Sequence, residues 1–193
     1  MLIKSDFDVA QPVDKVWRFF DDIPRVAACL PGAELTDDLG DEQYKGRVSV
    51  RMGPVSLRFA GTADIIERDD TAKRIVVSAA GAEEKGKGQA GMVVTATLVR
   101  SGPGTKVAVV QDLQVSGAAA QYGRGMIADV TSVLMRDFAV NLRDGITAAE
   151  RGENAAQSAA PARGFRIGLK ATLMALKRVF RRFFAPYQSS IPS

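Results

Sequence analysis

The hydrophobic rhythm of the chain changes several times. Residues 2–10, LIKSDFDVA, alternate apolar and polar positions, the period of a half-buried strand. In QPVDKVWRFFDDI, residues 11–23, the spacing becomes helical. Val16, Phe19, Phe20 and Ile23 share one face there, and Pro12 suits the first turn. PRVAACLPGA reads as a short helical turn closed by Pro31-Gly32. From Glu34 to Ser116 the period of two returns. YKGRVSV aligns Tyr44, Gly46, Val48 and Val50, and VSLRFAGTADI aligns Val55, Leu57, Phe59, Gly61, Ala63 and Ile65. RIVVSAAG follows; GMVVTATLV aligns Met92, Val94, Ala96 and Leu98, and TKVAVVQDLQVS aligns Val107, Val109, Gln111, Leu113 and Val115. Short polar turns such as MGP, RDDTAK and SGPG separate these runs, so the strands should form an antiparallel meander.

After Ser116 the helical period resumes. Tyr122, Met126, Val130, Val133, Leu134, Phe138, Leu142 and Ile146 recur at steps of three and four, predicting a helix of about eight turns. RGENAAQSAAPARG then reads as a flexible linker. The predicted organisation is a domain over residues 1–150, a linker over 151–163, a helix over 164–186 and a disordered tail over 187–193. A sheet with one apolar face must be covered, and the long helix is the only element large enough. The fold class is therefore α+β: a curved antiparallel sheet wrapped around a long helix, with a separate amphipathic tail helix.

Such a sheet commonly leaves space beneath its helix. The predicted inward positions are Val50, Phe59, Met92, Val94, Val109, Tyr122, Met126 and Leu134, with Gln111 among them. Apolar walls with a few polar groups suit a lipophilic ligand, and methionine adapts to irregular shapes. The same positions also suit a filled core, and the residues alone leave both readings open. A buried Gln111 could hydrogen-bond a ligand carbonyl or be satisfied within the core.

Charge divides the chain. Of 26 Lys/Arg and 22 Asp/Glu, seven cations and no acid lie in residues 155–193, so residues 1–154 carry a net −3. In GFRIGLKATLMALKRVFRRFFAP, Phe165, Leu169, Leu173, Leu176, Val179, Phe180 and Phe183 fall on one side of a helical wheel. Arg166, Lys170, Lys177, Arg178, Arg181 and Arg182 fall on the other. Twenty residues reach roughly 30 Å, enough to span a bilayer. Each central cation, however, opposes insertion by about 2.5–3.5 kcal/mol. Lying in the interface avoids this. Each cation near an anionic surface then contributes about 1 kcal/mol and each buried methylene about 0.8 kcal/mol. The helix is expected to bind anionic lipid; docking on a partner protein is the alternative. Nucleic acid is not expected, since phosphate binders need no apolar stripe.

Catalytic chemistry is thinly represented. With no histidine there is no Ser-His-Asp triad and no histidine metal site. The single cysteine, Cys29, has no evident base and reads as a packing residue. Asp64, Glu67, Asp69 and Asp70 cluster at a strand end, where solvation explains them. GKGQAG (Gly86 to Gly91) and GRGMIA (Gly123 to Ala128) match dinucleotide fingerprints in letters but not in context, lacking a parallel strand–turn–helix unit. No apolar run of transmembrane length and no signal peptide is evident, so a cytoplasmic location is expected.

PxxKVW at Pro12 to Trp17 and CLPG at Cys29 to Gly32 resemble the N-terminal signature of the START-like, helix-grip (SRPBCC) superfamily of ligand-binding domains. More narrowly, MGPVSLRFAG (Met52 to Gly61), GKGQAG and the YGRGMI opening of the long helix resemble the G-subunit family of carbon monoxide dehydrogenase. The likeness covers about residues 1–150. It implies a non-catalytic accessory protein that recruits a molybdenum hydroxylase to the inner face of the cytoplasmic membrane, where electrons enter the respiratory chain. The implied partners are that enzyme, anionic lipid and a lipophilic small molecule such as a respiratory quinone, with no covalent cofactor. Some START-like proteins are cyclases or hydrolases, so an enzyme remains a rival reading, as does a tether without ligand.

Overall fold

The computed structural model describes residues 1–151. The expected linker, tail helix and terminal segment, including all the membrane-facing residues named above, lie outside the described residues. Within them the order is β1 (Leu2–Val9), α1 (Val13–Phe20), α2 (Ile23–Cys29), β2 (Ala33–Gly40), β3 (Gln43–Met52), β4 (Val55–Asp69), β5 (Arg74–Glu83), β6 (Gln89–Ser101), β7 (Gly104–Val115), a 3-10 turn (Ala119–Tyr122) and α3 (Gly123–Glu150). The strands form one seven-stranded antiparallel sheet in the order β1-β7-β6-β5-β4-β3-β2. From β2 to β7 it is a meander; α1 and α2 carry the chain from one edge strand to the other.

The helix expected over residues 11–23 ends at Phe20, and the short helical turn expected after it is α2. α1 buries Val16, Trp17, Phe19 and Phe20. Asp22 then accepts from the Arg25 N–H at 3.1 Å and caps α2, with Pro24 in its first turn. Ile23 therefore opens α2 and does not close α1. β2, for which the alternation is weak, is an edge strand with exposed acids and two register irregularities, features that discourage edge-to-edge pairing. Asp41 and Glu42 turn into β3 with positive φ angles of 49° and 59°. β4 runs past Ile65 to Asp69 through a bulge that leaves Ile66 exposed.

α3 lies over the concave face of the sheet. Its buried positions are Ile127, Phe138, Ala139, Leu142 and Ile146. Two positions assigned to this face are elsewhere: Met126 is 43% exposed and Val133 is 48% exposed. Steps of about 100° explain this, because counting back from Phe138 brings Ile127 onto the inward meridian and turns Met126 away.

The core is in two parts. One joins Phe7, Trp17, Phe20, Val107, Phe138 and Leu142 near the C-terminal half of α3, with Phe7 and Phe138 edge-on at 6.1 Å. The other joins Met52, Leu57, Phe59, Ala119 and Ile127 near its N-terminal end. At the first end, Trp17 Nε1 donates to Asp70 Oδ1 at 2.7 Å, fixing α1 to the β4–β5 turn. Between the two clusters the sheet and helix do not meet.

Candidate ligand cavity

The space between the clusters is a cavity of about 480 Å³, within the range of small-molecule sites. Its floor is built from three rows of inward residues in register across β4, β5, β6 and β7. The first is Ile65, Val77, Val94 and Gln111; the second is Ala63, Ala79, Met92 and Leu113; the third is Gly61, Gly81, Ala90 and Val115. Gly46 and Tyr44 on β3 extend the third and second rows. Ile127, Val130, Thr131, Leu134, Met135 and Phe138 of α3 form the roof, and Val26 of α2 with Leu30 just past its end closes one side.

The cavity exists because the middle of the floor is made of glycine and alanine. A Cβ at Gly61 would overlap the Ala80 carbonyl oxygen, so the chains pass closer there than any side chain allows. Large residues at either end hold α3 up, and small ones between leave the gap.

The structure brings together Val50, Phe59, Met92, Val94, Val109, Gln111 and Leu134, all of which line this cavity. Tyr122 and Met126 are not lining residues. Tyr122 caps α3 and packs against the second core cluster, while Met126 turns to solvent. Periodicity did not single out Ala79, Gly81 and Ala90 of rows two and three, or Thr131 and Met135. Gly61 and Ala63 did fall on the predicted inward face, but their matching with Gly81, Ala79 and Ala90 depends on strand register.

The electrostatics are those of a neutral chamber. Among the described lining residues only Glu34 and Arg47 are charged, and both are exposed, with Arg47 paired to Glu84 at 3.1 Å. The Tyr44 phenol is pushed up first by burial and then by the charges of Asp38 and Glu42. Cys29 does not line the cavity; burial, then the charge of Asp144, pushes its thiol up to about 11. Asp64 alternates to the outer face of β4 opposite Ile65. Asp69 accepts from the Thr71 and Ala72 N–H groups at 2.8 Å each, and Asp70 holds Trp17. The acidic cluster is thus divided among separate structural roles. Among the described residues no group of three or more His, Cys, Asp or Glu could hold a metal. Gly86 to Gly91 run from the β5–β6 turn into β6, and Gly123 to Ala128 open α3, neither in a nucleotide-binding context.

A curved antiparallel sheet gripping one long helix over an apolar chamber is the START-like, helix-grip fold. The same fold is found in a conserved protein from Geobacillus kaustophilus, at 17% identity over 76% of this chain and 95% of that one, with a TM-score of 0.68. A START superfamily protein from Mycobacterium smegmatis shares it at 14% identity over 76% and 97%, TM-score 0.52. An aromatase/cyclase, Zhui, from Streptomyces sp. R1128 shares it at 15% identity over 81% and 98%, TM-score 0.50. Residues 6–147 match the family model for the carbon monoxide dehydrogenase G subunit (CoxG), and the chain belongs to that family. No curated protein matches it.

Proposed function

We propose that the protein is a non-catalytic accessory factor that brings a molybdenum hydroxylase of the carbon monoxide dehydrogenase type to the inner face of the cytoplasmic membrane. Its cavity carries a lipophilic molecule, and a respiratory quinone suits both the chamber and the electron transfer such an enzyme needs. The observation that carries this reading is a neutral apolar cavity of about 480 Å³ in a member of the CoxG family. The basic amphipathic sequence at residues 164–186 supplies the lipid attachment. Among the described residues no helix is long and apolar enough to cross a membrane.

Organic extraction of the purified protein, followed by mass spectrometry, should release a stoichiometric lipophilic compound. An empty extract, together with failure of added quinone to bind, would leave only a tether. Removing residues 156–193 should release the protein from anionic liposomes, and co-precipitation should recover the hydroxylase; failure with every candidate hydroxylase would sink the recruitment reading. The enzyme reading has support in the shared fold of the Streptomyces aromatase/cyclase. It has less from the lining, whose interior polar side chains are Tyr44, Gln111 and Thr131. Turnover that depended on one of these would revive it.

A further inference from the structure

Gln111 breaks the apolar character of the floor. It pairs in register with Val94 on one side and Ile3 on the other, and its side chain is 5% exposed. It lies between Val109, which packs in the first core cluster, and Leu113, which packs against the second. A primary amide carries two N–H donors and an acceptor oxygen. Interiors nearly always satisfy such groups, because burying them alone is unfavourable. Among the described residues no side chain or backbone group hydrogen-bonds the Gln111 amide, yet no side-chain polar atom is sealed off without a partner. The amide therefore keeps its open side toward the cavity it lines. It is a polar group held inside by an apolar sheet and left facing the ligand space.

We propose that Gln111 is the anchor that orients and selects the ligand, reading a carbonyl or hydroxyl oxygen on a neutral and otherwise hydrocarbon molecule. This rests on the cavity holding a lipophilic ligand. The amide can donate to either kind of oxygen and can accept from a hydroxyl. A carboxylate is disfavoured, because the interior offers no cation to pair with it. The ligand's broadest part belongs against Gly61, Gly81 and Ala90, where the floor carries at most a methyl group. That row meets β7 at Val115, four residues from Gln111, or roughly 13 Å along the strand. The ligand is thus read at an oxygen set well apart from its widest portion.

Two dyes separate the anchor from the cavity. Laurdan carries a ketone whose emission moves to the red on hydrogen bonding; diphenylhexatriene is a hydrocarbon with no hydrogen-bonding group. The full-length protein should bind both, with laurdan emitting as a hydrogen-bonded ketone. Gln111→Leu should weaken laurdan about tenfold, the effect of one lost hydrogen bond, and move its emission to the blue. Diphenylhexatriene should bind the variant at least as well. Equal laurdan affinity and emission in both proteins would overturn the anchor while leaving the cavity reading intact. Failure of both dyes to bind the wild type would overturn the cavity reading and the anchor with it. Should the variant not fold, competition on the wild type decides: dodecanol should displace diphenylhexatriene at neutral pH and dodecanoate should not. Equal displacement by the two would overturn the selectivity.

Discussion

The Cys29 thiol is 6% exposed on α2 and donates to the Arg25 carbonyl at 3.3 Å. Its ordinary value of 9.0 is raised to about 11, first by burial and then by Asp144. The folded protein therefore keeps this proton at pH values where the unfolded chain has lost it. That contribution to stability is fully present below about pH 9 and declines as pH rises toward about 11. Denaturant melts on either side of this window should show wild type losing stability more steeply than Cys29→Ala; parallel losses would refute the assignment. Native Cys29 should also resist alkylation at neutral pH, since the thiolate is the nucleophile. Asp70, which the sequence offers only as one of four clustered acids, accepts from Trp17 at 2.7 Å. Asp70→Ala strands the indole N–H of a residue 3% exposed and should destabilise the protein by about 1–3 kcal/mol, read from a thermal or denaturant melt. Nothing in the local sequence links residue 70 to residue 17, because the contact joins a helix to a turn 53 residues further along the chain.

Strands and helices show where legibility ends. Alternation in β3, β4, β6 and β7 correctly marks their inward sides, since a strand's period of two leaves only two choices. α3 is harder, because it carries two apolar stripes. Met126, Val133 and Val140 recur every seven residues on the exposed side, while Ile127, Leu134, Phe138 and Leu142 face the sheet. Hydrophobicity alone cannot choose between stripes; contact with the sheet does. The cavity is harder still, being made by missing side chains. Gly61, Gly81 and Ala90 are unremarkable until register places them in one row. Their neighbours define a contrast of substitutions. Gly61→Ala drives a methyl into the Ala80 carbonyl and should cost about 1–3 kcal/mol or more, with a lower thermal midpoint. Ala79→Leu instead extends into open space. Added methylenes contribute up to about 0.8 kcal/mol each, so the ligand-free protein should melt higher and bind diphenylhexatriene at least tenfold more weakly. A lower midpoint for Ala79→Leu would mean that the row has no room to fill.

Over the whole chain, charge and cavity are allotted to different stretches. The lining residues run from Phe20 to Phe138, inside a body whose first 154 residues carry a net −3. The seven cations after residue 154 stand without a single acid. In the proposed function, cargo binding would draw on apolar contact and one amide, neither sensitive to salt, and lipid attachment on cations, each contributing about 1 kcal/mol near an anionic surface and screened by added salt. The two activities should therefore separate in the full-length protein. Reversing Lys177, Arg178, Arg181 and Arg182 to glutamate should abolish sedimentation with anionic vesicles while leaving dye affinity unchanged. In the wild type, salt should weaken sedimentation without reducing dye affinity, and some attachment should survive because phenylalanines and leucines still favour the interface. Loss of dye binding in the charge-reversed protein would show that the terminal segment takes part in holding the ligand. Attachment would then be a step in loading the ligand, and a tether independent of cargo would no longer describe the molecule.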